Sequence, residues 1–202
     1  MAGNAVPPRL KATRRGFDFT GYMDTVCQAV VTQNPELAHV RMNAVATAFC
    51  QARKRVPHGL FASLTPLRFK DGAETEVRRG RTYRIQQLAW PDGRQMLYIL
   101  RFYLPRFLDL PFREKLITVF HELWHISPQF NGDLRRHPGR CFAHSHSQAE
   151  YDELMGEFVD RWVATHDTTA LLAPLRLSFN ELLRTHHGLW GLRIPRPRLL
   201  PV

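Results

Sequence analysis

His121-Glu122-Leu123-Trp124-His125 brings together the residue types from which metal-assisted hydrolysis is built. On a helix, residues four apart lie one above the other on one face. His121 and His125 can therefore both reach a single zinc ion at about 2.0–2.1 Å. Glu122 is rotated off that line, where it can take a proton from a water that the metal activates. Short motifs also arise by accident. H-E-x-x-H turns up in about two of every hundred chains this long, so the flanking sequence has to supply a helix and further ligands before the pattern means anything.

A catalytic zinc needs a third protein ligand and keeps one position open. The longest form of the motif would place a glycine at 128 and a histidine at 131; Pro128 and Asn131 stand there instead. Downstream candidates are His144, His146, His137 and Glu150, in that order. His144 and His146 come just before a second helix, whose cap holds the backbone rigid. His137 falls inside an arginine-rich loop, and Glu150 suits the capping of its own helix. Histidines left over are solvated or support the ligands from behind. Cys141 lies in the same stretch, but a fourth strong ligand would close the open position, so it reads as a small buried residue. By position, His146 and Tyr151 are candidates for stabilising an oxyanion.

The elements that must hold these residues follow from periodicity and punctuation. Asp109-Leu110-Pro111 opens the motif helix. Leu116, Ile117, Val119, Phe120, Leu123 and Trp124 form its apolar stripe, Glu114, Thr118, His121, Glu122 and His125 its other side, and Ser127-Pro128 stops it. Pro128–Ser145 is irregular. A second helix spans about 148–166, opened by a Ser147-x-x-Glu150 capping box, with Leu154, Met155, Phe158, Val159, Trp162 and Val163 on its apolar face. Upstream, a short helix covers about 20–32. Asn34-Pro35 then signals another helix start, and Leu37, Val40, Ala44, Val45, Ala48, Phe49 and Ala52 follow at helical spacing up to Pro57 and Gly59. Leu60–Phe69 reads as a strand and Lys70–Gly80 as a loop. Arg81–Trp90 and Arg94–Leu104 read as a hairpin about Pro91-Asp92-Gly93, the second strand offering its edge to an extended peptide. A short helix near Ser178–His186 precedes a proline-rich basic end.

Composition narrows the class. The 202 residues are 44% hydrophobic and 23% charged, which suits one globular domain and excludes a disordered chain. No run approaches the roughly 20 apolar residues that cross a bilayer, and the first residues lack the shape of a signal peptide. Cys27, Cys50 and Cys141 are widely spaced and odd in number, which points to a reducing cytoplasm. Lys and Arg number 28 against 18 Asp and Glu, for a net charge of +10. Arginine clusters at 14–15, 53–55, 78–81 and 135–136 open the way to non-specific nucleic-acid contact through a basic surface.

Several of these segments resemble one family. Pro105-Arg106-Phe107, Glu114-Lys115-Leu116, His121-Glu122-Leu123-Trp124-His125-Ile126, Gly132-Asp133-Leu134-Arg135-Arg136, Gly139-Arg140 and His144-x-x-Ser147 with Tyr151-Asp152 look like the phage metallopeptidases. More distantly, the layout is similar to SprT-like zinc peptidases. The likeness spans roughly residues 59–165. It implies a zincin-like fold, zinc peptidase activity and a phage or prophage origin. It also favours His144 as third ligand, because His144 stands where the loop meets the second helix; the additional His146 departs from the pattern. SprT-like proteins often act on DNA-bound proteins, an implication that agrees with the positive charge.

The expected molecule is α+β and zincin-like, a small antiparallel or mixed sheet packed on the H-E-x-x-H helix and a second, C-terminal helix. Its single domain spans 17–190, between a basic tail (1–16) and a Pro/Arg-rich tail (191–202). Its expected activity is peptide-bond hydrolysis in the cytoplasm of a bacterium or phage-infected cell. Zn²⁺ would sit on His121, His125 and His144, with Glu122 as general base and a peptide or protein as substrate. The alternative is a non-catalytic zinc-containing module that binds DNA or protein, its site closed by both His144 and His146.

Overall fold

The computed structural model describes residues 15–52, 59–136 and 148–202, those at 148–152 by their backbone alone. In chain order the elements are β1 (Phe17–Asp18), α1 (Phe19–Gln33), β2 (Val45–Gln51), β3 (Ala62–Pro66), β4 (Thr75–Arg78), β5 (Arg81–Ile85) and β6 (Tyr98–Leu104). Then follow α2 (Phe112–Trp124), α3 (Gln148–Thr165), α4 (Thr169–Leu172), α5 (Phe179–His186), β7 (Leu189–Trp190) and β8 (Leu199–Pro201). The protein is α+β, built on a mixed three-stranded sheet of order β2-β6-β3. β2 runs parallel to β6, with Val45 opposite Tyr98, and β3 runs antiparallel to it, with Ala62 opposite Phe102.

Alternation along the strands sorts the core into two layers. Tyr98, Leu100 and Phe102 of β6 join Val45 and Phe49 of β2 in one apolar cluster with α1, α2 and α3. Ile99 joins Ala46, Ala48, Leu67 and Met96 in a second cluster, covered by Ile85, Leu88, Trp90 and Ile194. α3 lies against α2. Phe120 meets Trp162 at 5.8 Å between ring centroids and Trp124 meets Phe158 at 5.4 Å, while Arg113 forks onto Asp160 at 3.0 and 2.7 Å.

The helix expected from Asn34 to Ala52 is absent. Asn34 ends α1 instead, its Nδ2 donating to the Val30 carbonyl at 2.6 Å. Two 3₁₀ turns follow, Pro35–Leu37 and Met42–Ala44, and Val45–Gln51 is strand β2. Both faces of β2 are buried through Phe49, so its apolar residues form a run that fits a helical period as well as a strand.

The Pro91-Asp92-Gly93 turn is present, with Gly93 N–H donating to the Trp90 carbonyl at 2.9 Å and Ala89 bridged to Gln95. Its flanks then diverge. β6 becomes the central strand of the main sheet, and β5 pairs with β4 and β8 in a second sheet. Consequently β6 has no edge to offer a peptide; the edge strands of the main sheet are β2 and β3. Part of the expected 70–80 loop is strand β4. The 191–202 segment, expected as a tail, is woven in. Leu192 accepts from Phe49 N–H at 3.0 Å, and β8 pairs with β5.

Candidate metal centre

α2 forms where the stripe predicts. Leu116, Ile117, Val119, Phe120 and Leu123 are buried against α1, α3 and the sheet. On its flank His121 and His125 lie one turn apart and partly exposed, their rings 4.6 Å between centroids and 80° between planes. This edge-to-face pair is the geometry from which two imidazole nitrogens can converge on one ion.

Glu122 departs from expectation. The apolar pattern places it on the open side of the helix, yet it is only 8% exposed. Each helical residue is turned about 100° from the last, so Glu122 stands to one side of the line of the histidine pair, toward β3. There the backbone N–H of Leu64 donates to its carboxylate. Ser63 and Thr65 stand in hydrogen-bonded register with β6, so Leu64 faces the outer edge of β3. Burial raises the Glu122 pKa to about 7, against the opposing pull of that hydrogen bond. A carboxyl that exchanges its proton near neutrality is matched to acid–base work.

The C-terminal end of α2 is held by three groups from outside the helix. His125 ends it in the helical region, at φ −67° and ψ −14°. Its carbonyl accepts Arg135 N–H at 2.7 Å, and the Trp124 carbonyl accepts Arg135 Nε at 2.7 Å while the guanidinium lies 3.9 Å over the Trp124 ring. The Ile126 carbonyl accepts from the ring of His39, whose Nε2 is buried without a partner among the described residues. Cations and donors suit the last carbonyls of a helix. Burial and the Arg135 charge both hold the His39 pKa down.

The following loop is pinned as firmly. Tyr98 Oη, fully buried in β6, accepts Gly132 N–H and donates to the Asp133 carbonyl, both at 2.9 Å. The Asp133 carboxylate takes Arg136 through both oxygens, at 2.8 and 2.9 Å, and Asp71 N–H at 2.9 Å. These contacts hold the Asp133 pKa below the usual carboxylate range despite the opposing effect of burial.

Of the predicted site residues, His121, Glu122 and His125 are thus brought together. His137, Cys141, His144 and His146 lie outside the described residues, as do Ser147 of the expected capping box and the side chains of Glu150 and Tyr151. Among the described residues no set of three His, Cys, Asp or Glu side chains is gathered for a metal. The donor set fits zinc as far as it is described. Two imidazoles sit at one-turn spacing, and a carboxyl beside them is too buried to be wasted on solvent. The chain leaves this point at Arg136, tied to Asp133, toward the remaining candidates.

Sequence reasoning missed Leu64, His39, Tyr98 and Arg135. Asp133 and Arg136, three apart, gave the one readable signal. A cavity of about 1000 Å³ lies at the β2 edge, opposite β3, and includes Asp24, Thr47, Trp90 and Trp190 in its lining; no α2 residue lines it. Comparison with protein-family models, with curated proteins and with solved structures finds no match to this chain.

Proposed function

We propose that the protein is a zinc-dependent metallopeptidase of zincin-like fold and phage or prophage origin, acting on peptides or proteins in the cytoplasm. The observation that carries this reading is the division of labour on one helical turn. His121 and His125 are partly exposed and adjacent, while Glu122 between them is buried and oriented by Leu64 N–H. His121 and His125 would hold the ion with a third ligand, for which His144 is the choice. Zinc bound there supplies a Lewis acid and lowers the pKa of water toward neutrality.

The chain's own residues do the rest. Glu122 accepts the proton of the attacking water and returns it to the leaving amine; a raised pKa favours both transfers near neutral pH. Leu64 N–H keeps the carboxylate from rotating away. Arg94–Leu104 does not serve as a substrate edge, because β6 is the central strand of its sheet. No helix among the described residues is long and apolar enough to cross a membrane.

Metal analysis with a peptidase assay tests the reading. Wild type should carry one zinc per chain, and His121→Ala, His125→Ala and His144→Ala should lose most of it. His137→Ala and His146→Ala should keep it. Glu122→Gln still offers an oxygen to Leu64 N–H, so it should fold and retain zinc while peptide hydrolysis falls at least 100-fold. Zinc-free wild type overturns the proposal. A zinc-loaded wild type that cleaves no peptide supports the non-catalytic alternative.

A further inference from the structure

We propose that the β4–β5 ribbon docks in the major groove of duplex DNA, with Arg79, Arg81 and Arg84 contacting the phosphates. This inference is independent of the peptidase reading. β4 and β5 are antiparallel and joined at Arg79-Gly80, both with positive φ (50° and 74°), as in the tightest hairpin turns. Asn or Gly is at ease at the first of those positions; arginine is not. The register also sets Arg78 directly opposite Arg81, and like charges so placed weaken a ladder. Neither Arg79 at its positive φ nor Arg81 opposite another arginine serves the fold, so both point to something outside it.

Charge and shape indicate what that is. Arg78 is paired with Glu76, and its guanidinium lies 5.5 Å from the centre of the Phe69 ring. Arg79, Arg81 and Arg84 are exposed, and no carboxylate among the described residues pairs with them. β8 pairs opposite Tyr83–Ile85 and Val202 N–H reaches the Thr82 carbonyl at 3.0 Å, so the two-stranded tip is the Arg78–Arg81 pair with its turn, and Arg84 stands at its base. Successive strand residues face opposite ways, which puts Arg81 and Arg84 on opposite faces with Arg79 leading.

A two-stranded ribbon fits the B-form major groove, about 12 Å wide, and meets phosphates on both walls. A flat acidic protein surface would engage one face only, and the A-form groove of duplex RNA is too narrow to admit the ribbon. Guanidinium forks match phosphate oxygens, and the chain's net charge of +10 attracts the polyanion at long range.

Fluorescence anisotropy of a 20-base-pair duplex of arbitrary sequence, with the full chain across 50–200 mM salt, tests this. Wild type should bind with an affinity that falls steeply with salt. Arg79→Asn/Arg81→Gln/Arg84→Gln should lower the log–log slope by about 2–3, since each phosphate contact adds about 0.9. It should also bind at least tenfold more weakly at low salt. Its melting temperature should equal or exceed that of wild type, which separates lost contacts from unfolding. Arg15→Gln/Arg94→Gln/Arg184→Gln removes the same charge elsewhere and should leave the slope unchanged. The proposal is overturned by salt-insensitive or absent binding, by equal losses in both triple variants, or by tighter binding to poly-glutamate or duplex RNA at the same salt.

Discussion

Tyr98→Phe isolates the bond that ties the sheet to the loop behind the histidine pair. The ring is fully buried, 5.4 Å from Phe130 between centroids, and the substitution keeps that packing. What goes is the hydroxyl. Asp133 keeps another donor to its carbonyl, Ser127 N–H at 3.2 Å, whereas Gly132 N–H loses its partner at 2.9 Å. An orphaned buried donor costs about 1–3 kcal/mol, and the lost bond to a carbonyl that remains satisfied adds a few tenths. For a domain of this size each kcal/mol is worth roughly 2–4 °C, so the melting temperature should fall by about 3–13 °C. Far-UV circular dichroism should not change. Tyr103→Phe is the control: its hydroxyl meets Ser63 Oγ at 3.2 Å in a half-buried setting, and its loss should cost under about 1 kcal/mol. If the two variants melt within 1 °C of each other, Tyr98 does not hold the loop. The account of how the end of α2 is fixed would then fail.

Lys115 is 2% exposed, and its Nζ donates to the carbonyls of Leu175 and Leu177, both at 2.8 Å. Burial lowers its pKa to about 8, below that of the unfolded chain. The unfolded state therefore binds more proton at this site between about pH 8 and 10, and stability contributed by this group rises with pH across that window. Urea unfolding should show the stability of wild type relative to Lys115→Met rising by on the order of 2 kcal/mol over the window; burial raises the pKa of Cys27 and so pulls the other way in both proteins, which leaves the difference to Lys115. Gly132 has φ +87°, and a Cβ there would stand 2.5 Å from Arg68 Cγ. Gly132→Ala should destabilise by about 1–3 kcal/mol, read as a lower urea midpoint at unchanged slope.

How legible the fold was depends on the range of the forces that set each element. Two helices are where the sequence puts them, whereas the Asn34-Pro35 start signal opens only a 3₁₀ turn. α1 runs Phe19–Gln33 against an expected 20–32, and α5 opens with Ser178 and Glu181 in a reciprocal cap. The cap involves only neighbours, so three residues suffice to announce it. β2 was misread because the same apolar residues satisfy a helix and a strand buried on both faces; what decides is its partner β6, some fifty positions away. β8 reads as a basic tail until β5 pairs with it. The candidate site divides in the same way. The adjacency of His121 and His125 needs only a helix. The burial of Glu122 needs β3 lying over that helix, and the fixing of the helix end needs Tyr98 and Arg135, which meet it only after the chain has folded back.

The long-range part is what gives the motif two environments. An isolated helix with His-Glu-x-x-His would leave all three side chains in water, and its carboxyl would keep an ordinary acidity. In the folded chain the pair four apart stays at the surface, and the residue one step on is turned toward β3. There desolvation lifts its proton affinity while Leu64 N–H fixes its direction. The same strand therefore does two things. Its inward-bonding residues complete the sheet with β6, and an outward-facing one sets the state of the acid that the histidines lack. Leu64→Pro removes that N–H at an edge position where proline is tolerated in the ladder. It should raise the Glu122 pKa further, because the lowering effect of the bond is lost while burial remains. The check is the pH profile of peptide hydrolysis: its acid limb should move to higher pH while the zinc content stays at one. An unmoved limb would mean that β3 does not tune this carboxylate.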